Sequence, residues 1–575
     1  MSQLANDPVS HRLPVNRIAV LLIIFVLFLI LIAYRVVMIQ VVRSAEFGDQ
    51  AVAERLQENS IPASRGDILD SNGVRLATNV PADRISAIVS LIEDKHDMAV
   101  KLSPYIGRPV EEIEAALSQE GVEWVLLARR LSPEASASIA AMDFEGIVLD
   151  PEPRRVYPSG AFASHVLGFA NYDHEGSYGV EGAYDEEVGG TPGRVVGERD
   201  GAGNVIALSQ STWDPPTDGS ELVLTIDSAV QRIVESVLAD TVQEQDAAGG
   251  TIIVQDPNTG AILGMASWPT FDPNNFDEVN DISTFSNPAV SSVYEPGSTF
   301  KSIVMAIGID GGVVTPDTVH NDAPGYIEVP GQPPITNNNG RVWGKETMTQ
   351  VLEHSANLGA VFVAERIGQE RFYQRLMEFG MGRETGIDLQ GEERGILTGP
   401  WEPDWNPTLF YTTAFGQGIA VTPVQLINAV SAVINGGKLM QPYVVSEVRG
   451  EGETVVHDPT MIRQVISPES SETLRAMLRS VVVNSAGVFA DVPGYAIGAK
   501  SGTAQIPSPE GGYIDEATIA SMVGFGPVEN PQFTVLVKID WPKESPWGET
   551  VAGPALAEVF NQLFKLYGIP PTEAE

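Results

Sequence analysis

Three short stretches carry side chains able to do nucleophilic chemistry. In the first, residues 294–301 read Tyr-Glu-Pro-Gly-Ser-Thr-Phe-Lys. Pro296 and Gly297 stop the preceding loop, and the apolar residues that follow have helical character, so Ser298 falls at a helix start. Lys301 lies three residues on and faces the same side, with side-chain roots about 5–6 Å apart. A serine hydroxyl is a weak nucleophile until a neighbouring base takes its proton. A lysine can be that base where burial or nearby cations lower its pKa. The helix start also favours negative charge developing beside Ser298. The second stretch is His354-Ser355-Ala356-Asn357, in which Ser355 and Asn357 can aim two polar groups into one cleft. The third is Lys500-Ser501-Gly502-Thr503, inside a run that reads as strand. Period-two alternation puts Ser501 and Thr503 on one face and Lys500 on the other. The hydroxyl face suits a substrate carboxylate, and Lys500 can reach the Ser-Ala-Asn loop. Gly502 leaves room for an extended peptide laid along the strand edge. Taken singly, each stretch has an ordinary reading: a capping serine beside a surface lysine, a turn, an edge strand with a solubilising lysine. Together, in one lobe, they argue for a single groove around the hydroxyl of Ser298.

Bringing positions 298, 355 and 500 together asks for a sheet with helices packed on it. Residues 221–242 read as a strand running into an amphipathic helix. Residues 251–267 read as a hairpin around Asn-Thr-Gly, residues 520–542 as a strand pair, and residues 551–568 as a closing helix. Strands, then helices, then strands and a final helix is an α+β pattern, an antiparallel sheet with packed helices. Upstream, residues 46–213 mix short strands and helices, with a Ser-Asn-Gly turn inside residues 64–77. The Pro/Asp/Gly cluster at residues 213–220 reads as a linker.

Residues 18–33 are an unbroken apolar run. At ~1.5 Å per residue the run and its flanks can cross a hydrocarbon core of about 30 Å, with Arg35 snorkelling to the interface. The run is long for a signal peptide and no A-x-A-like cleavage site follows it, so an uncleaved anchor is expected. Arg12 and Arg17 before the run and Arg35 and Arg43 after it leave the positive-inside count nearly balanced. The expected division is a tail and single-pass anchor (1–45), a mixed α/β lobe (46–215) and the lobe that carries the three stretches (216–575).

Composition removes other classes. Lys plus Arg total 35 against 75 Asp plus Glu, a net charge of −40 over 575 residues, which makes phosphate-mediated binding of nucleic acid a poor prospect. There is no cysteine, hence no disulfide, thiolate–zinc site, iron–sulfur cluster or cysteine nucleophile. The seven histidines form no HExxH, and no GxxxxGK[ST] occurs. No metal and no organic cofactor is expected.

The set Ser298-x-x-Lys301, Ser355-x-Asn357 and Lys500-Ser501-Gly502-Thr503 resembles that of the serine acyl-transferases, which include penicillin-binding proteins and serine β-lactamases. With the anchor, the RGDILD segment at 65–70, the stretch at 154–169 and the G-x-E-x-x-Y stretch from Gly179, the order resembles a class B penicillin-binding protein. The resemblance implies a membrane-anchored D,D-transpeptidase with a short cytoplasmic tail and, outside the cell membrane, an elongated dimerisation-type pedestal (46–215) and a β-lactamase-like catalytic transpeptidase domain (216–575). No glycosyltransferase domain separates anchor from pedestal, unlike class A. The YEPGSTFK, Ser-Ala-Asn and KSGTAQIP stretches look more like the cell-division type than the elongation type, which stays open. Two further readings compete with the transpeptidase: a non-enzymatic division scaffold or β-lactam sensor, and a β-lactamase.

The resemblance implies that Lys301 accepts the Ser298 proton, and that Ser298 Oγ attacks the carbonyl between two terminal D-alanines of a peptidoglycan stem peptide. It implies an oxyanion hole from the Ser298 and Thr503 amides, and a proton relay through Ser355 and Lys500. Asn357 would hold the donor peptide and orient Lys301, and Ser501, Gly502 and Thr503 would bind substrate. β-Lactams would acylate Ser298, and a glycosyltransferase of the wall-synthesis complex would be a partner. Arg65, Asp67, Arg155 and Glu181 match motif positions of the family. They are read as interlobe salt bridges or turn residues, with a surface for other division proteins as the functional alternative.

Overall fold

The computed structural model describes residues 15–44, 56–198, 212–329, 332–508 and 511–572. The apolar run near the N-terminus is the helix Val15–Val37, continued by a π-helical turn, Met38–Val42. Its described apolar side chains are almost all exposed, and a helix apolar on every face has no polar side to give to water. The span Arg17–Val42, 26 residues containing an 18-residue stretch of mean hydropathy 3.1, is long and apolar enough to cross a membrane.

The chain divides into two compact units. The first comprises residues 1–63 and 191–217. Among its described residues, Leu56–Ile61, Gly193–Glu198 and Thr212–Asp214 form an antiparallel three-stranded sheet with the middle strand second in sequence. Trp213 and Asp214, read from the sequence as the start of a linker, belong to that last strand. Asp214 stands opposite Arg194 and their side chains pair at 3.0 Å. The breaking residues begin only at Pro215, and a strand that ends before a proline loses no ladder bond.

The second unit comprises residues 64–190 and 218–575. In its first segment the strands Asp83–Ile88, Trp124–Leu131 and Ile147–Pro151 pack against the helices Lys95–Ile106 and Val110–Leu117 around a small apolar core. Glu181 is fully buried and takes Arg65 Nε at 2.5 Å, Arg155 Nε at 2.7 Å and the Tyr157 hydroxyl at 3.0 Å. Sequence reading expects interlobe salt bridges or turn residues here. All three partners of Glu181 instead lie within residues 64–190, so the cluster ties this segment to itself. Asp67 pairs with Arg75 at 2.9 Å and accepts from the Thr78 hydroxyl at 2.8 Å.

A six-stranded sheet then mixes early and late chain. Its order is Thr454–Val456, Val445–Arg449, Glu221–Leu224, Ile68–Leu69, Arg75–Val80, Arg154–Val156. The pair Ile68–Leu69 with Glu221–Leu224 is parallel. A five-stranded antiparallel sheet runs Ile262–Trp268, Gly249–Gln255, Phe533–Asp540, Tyr513–Gly526, Gly498–Pro507. Gly249–Gln255 is buried along its whole length, as a strand covered on both faces must be. Ile252 and Val254 join the core shared with the helices Ser228–Glu244 and Gly548–Leu566. Ile253, pointing the other way, joins the core that holds Lys301–Asp310, Asn357–Ile367 and the wholly buried Pro423–Ile434. The architecture is α+β, with helices on both faces of an antiparallel sheet.

Candidate active site

Ser298 sits in the 3-10 turn Gly297–Phe300, which feeds directly into the helix Lys301–Asp310. Gly297 has φ +54°, a left-handed conformation that glycine adopts without a Cβ penalty, and its amide donates to Gly416 O at 3.0 Å. That bend turns the chain so that Ser298 and Lys301 share one side of the new helix.

Lys301 is 1% exposed. Its Nζ lies 3.0 Å from Ser298 Oγ, 2.5 Å from Ser355 O and 2.8 Å from Asn357 Oδ1. Burial pushes its pKa well below the ordinary lysine value; the neighbouring Lys500 ammonium pushes the same way, and Glu346 opposes both. As a neutral amine, Lys301 can donate its two N–H groups to the Ser355 carbonyl and Asn357 Oδ1. Its lone pair is then left for the proton on Ser298 Oγ.

Ser355 links the helices Met348–Glu353 and Asn357–Ile367 and has φ +55°. A non-glycine residue held in that region costs on the order of 1 kcal/mol or more and persists where its surroundings enforce it. The bend sends the Ser355 carbonyl toward Lys301, while its Oγ accepts from Lys500 Nζ at 3.0 Å. Asn357, the first residue of its helix, also donates from Nδ2 to Thr336 O at 3.0 Å, which fixes the side chain that holds Lys301.

Lys500 is 2% exposed and donates a second bond to Ser501 O at 3.1 Å. Burial lowers its pKa to about 8, against the opposing charge of Glu549. Its strand, Gly498–Pro507, pairs with Tyr513–Gly526 and is the last strand of the sheet, so its other edge has no ladder partner among the described residues. Ser501 and Thr503 are half-buried on the outer face, alternating with buried Lys500 and Gly502. Thr503 Oγ1 accepts from Gly548 N–H at 2.9 Å and keeps its own O–H to donate. Gly502 differs from expectation. A Cβ there would stand 2.8 Å from Pro296 O and 2.9 Å from Thr299 Cγ2 and Ser521 Oγ. The missing side chain makes room for the turn that carries Ser298, because position 502 shares the inward face with Lys500.

Five predicted residues, Ser298, Lys301, Ser355, Asn357 and Lys500, are thus joined in one continuous hydrogen-bonded set, with Ser501, Gly502 and Thr503 beside it. This is the geometry of a hydroxyl nucleophile with a buried amine base. Residues 250–565 match the penicillin binding protein transpeptidase domain, and residues 60–224 match the penicillin-binding protein dimerisation domain. The chain belongs to the penicillin-binding protein family. Its dimerisation segment followed by a transpeptidase domain is the class B order. Among the relatives of this penicillin-binding protein, Stage V sporulation protein D of Bacillus subtilis is 36% identical over 518 residues, 88% of this chain and 79% of that protein. The peptidoglycan D,D-transpeptidase FtsI of Escherichia coli is 30% identical over 546 residues, 93% of this chain and 89% of that one. A solved peptidoglycan synthetase from Bifidobacterium adolescentis superposes with a TM-score of 0.72 at 26% identity, covering 91% of this penicillin-binding protein and 98% of that chain.

Sequence reasoning missed the buttress behind the Ser-Ala-Asn loop. Glu346, 1% exposed, holds His354 Nδ1 at 3.0 Å, and the His354 ring stacks on Trp343 at 3.8 Å and 5°. Asn337 Oδ1 accepts the Leu358 amide at 3.0 Å, and Asp322 holds Asn337 Nδ2 at 2.9 Å. It also missed a tie at the mouth, where Glu295 accepts from the Tyr513 hydroxyl at 3.0 Å and the Gly418 amide at 2.7 Å. The histidine in His-Ser-Ala-Asn was the one local signal of the buttress.

Proposed function

We propose that this protein is a peptidoglycan D,D-transpeptidase that cross-links stem peptides through an acyl-enzyme on Ser298, in septal wall synthesis during division. The observation that carries the site assignment is the single Lys301 amine lying within hydrogen-bond reach of Ser298 Oγ, Ser355 O and Asn357 Oδ1. Lys301 takes the Ser298 proton as Oγ attacks the carbonyl between the two D-alanines. The developing oxyanion is received by the amides of Ser298 and Thr503, each such donor contributing about 3 kcal/mol. The C–N bond breaks, and the proton Lys301 took passes through Ser355 and Lys500, whose Oγ and Nζ are 3.0 Å apart, to the leaving D-alanine amine, so that Lys301 is neutral again. Ser501 and Thr503 grip the terminal carboxylate, and the open edge of Gly498–Pro507 receives the donor peptide as an added strand. The amine of a second stem peptide then attacks the ester and gives its proton to Lys301, the C–Oγ bond breaks, and Lys301 returns that proton to Ser298 Oγ 3.0 Å away, leaving an amide cross-link and a free hydroxyl. β-Lactams imitate the dipeptide and stop at the ester.

In this account the N-terminal helix crosses the cell membrane once, the body lies outside, and a glycosyltransferase supplies the glycan strands. Support for the septal role is the likeness to FtsI and to the division-type loops. The 36% identity to Stage V sporulation protein D favours a second reading, wall synthesis in a sporulating cell. The test of activity is cross-linking of nascent glycan strands, made from lipid II by a partner polymerase, with release of D-alanine. Dimeric muropeptides are expected with the wild type and none with Ser298→Ala. A protein that takes up penicillin yet forms no dimer is a sensor or scaffold. A fluorescent fusion followed through growth separates the two settings, by a band at mid-cell or around a forming spore.

A further inference from the structure

The strand Lys345–Thr347 pairs with Val319–Asn321, and this places His320 opposite Glu346. Glu346 is buried to 1% exposure. One carboxylate oxygen holds His354 Nδ1 at 3.0 Å, while the other, Oε1, is buried with no hydrogen-bond partner among the described residues. Burying a carboxylate with half its acceptor capacity idle is unfavourable by several kcal/mol unless its charge is used. A histidine brace alone would be served as well by a glutamine. What Glu346 faces explains the choice. His354 immediately precedes Ser355, the left-handed residue whose carbonyl takes the shortest bond of Lys301, at 2.5 Å. The His354 ring is clamped on its face by Trp343, over which the Arg341 guanidinium sits 3.8 Å from the ring centroid. The charged and titratable groups around Glu346 are His354, Asp322, Lys301 and, across the strand pair, His320. Those around Lys301 are Lys500 and Glu346, and Lys500 in turn feels Glu549. In this buried pocket Glu346 is therefore the anion set against Lys301, as Glu549 is against Lys500.

We propose that Glu346 is a positioning residue for acylation. Through His354 it holds the Ser355 carbonyl against Lys301, and its carboxylate offsets the positive charge Lys301 gains on taking the Ser298 proton. The proposal rests on Lys301 being the base. Burial, with Asp322 adding to it, pushes the Glu346 carboxyl above its ordinary pKa, while His354 and Lys301 favour the anion. The anion is most useful once Lys301 becomes ammonium, that is, after the nucleophile has been deprotonated. This is differential stabilisation of the charge that forms during reaction.

The experiment is stopped-flow labelling of the full chain in detergent with a fluorescent penicillin from pH 5 to pH 10, with thermal melting as the folding control. Glu346→Gln keeps the shape and removes the charge. It is expected to move the acid limb of the labelling rate down by about one pH unit, the lower end of the effect of one neighbouring opposite charge. The maximal rate should fall about three- to tenfold, because lost basicity reaches the rate only in part. His354→Phe keeps the stack on Trp343 and removes the bond to Glu346. It should lower the rate while leaving the limb near its wild-type position. An unmoved limb in Glu346→Gln, whatever its rate, makes Glu346 structural and overturns the proposal; so does a wild-type rate in His354→Phe, which remains readable if the first variant does not fold. Lys301→Ala run alongside separates the two claims. If it labels as fast as wild type, the base assignment fails, independently of Glu346.

Discussion

Truncating Lys301 to alanine removes the amine and leaves its hydrogen-bond partners in place. Lys301 Nζ, 3.0 Å away, is the one side-chain partner of Ser298 Oγ among the described residues. A base so placed contributes about 10²- to 10⁴-fold, or roughly 3–5 kcal/mol of barrier. The amides of Ser298 and Thr503 remain, so acylation should persist above the rate in water but fall by that factor. The truncation also leaves the Ser355 carbonyl and Asn357 Oδ1, at 2.5 and 2.8 Å from the lost nitrogen, without a donor. It opens a slot with the outline of n-propylamine, three carbons and a nitrogen. Added n-propylamine should restore part of the rate in proportion to the concentration of its neutral form, and a bulky tertiary amine should not. The assay is stopped-flow labelling with fluorescent penicillin, with melting temperature confirming the fold. A Lys301→Ala protein that labels within about threefold of wild type refutes the assignment of this amine as the base.

Other perturbations test other links. Glu181→Ala leaves the Arg155 guanidinium, 2% exposed, without a carboxylate and the Arg65 guanidinium, 3% exposed, with Asp185 alone, and should destabilise the fold by about 3–5 kcal/mol in calorimetry. The penicillin labelling rate of the still-folded fraction should not change. Gly502→Ala places a Cβ 2.8 Å from a backbone carbonyl that cannot rotate away, so strand and nucleophile turn must separate. Labelling should fall about tenfold or more, since small misplacements of reacting groups are expensive, with a melting shift too small to explain it. Lys500, with its pKa lowered to about 8, is ammonium below that pH and neutral above it. Because the leaving amine takes its proton through Ser355 and Lys500, labelling should decline above about pH 8, where Lys500 has no proton to pass on. Lys500→Arg should push that decline beyond the measurable range while lowering the maximal rate.

The parts of the site legible in the sequence are those that local geometry fixes. Helical spacing puts Ser298 and Lys301 on one side, and strand alternation sends Lys500 inward and Ser501 and Thr503 outward. These periodicities survive folding because backbone hydrogen bonds impose them. The helices Ser228–Glu244 and Lys301–Asp310, the hairpin at Gly249–Gln255 and Ile262–Trp268 and the closing helix Gly548–Leu566 follow from the same local patterning. What stayed hidden depends on contacts between distant parts of the chain. A glycine in a strand announces that something comes close, but not that the neighbour is Pro296 rather than a substrate. Lys345-Glu346-Thr347 looks like a polar surface strand until Val319–Asn321 pairs with it and His354 folds over it. The two-residue strand Ile68–Leu69 joins early and late chain in one sheet and is too short to carry a pattern. At residues 213–220 the prolines outweighed a β-forming Thr-Trp, although they begin one residue after the strand ends.

The central claim is that the oxygen of Ser298 becomes covalently bonded. Intact-mass spectrometry after incubation with benzylpenicillin, followed by peptide mapping, tests it most directly. One adduct per chain is expected, on the peptide containing Ser298, lost on hydroxylamine treatment and missing from Ser298→Ala. An adduct on another residue, or one that persists in Ser298→Ala, contradicts the account.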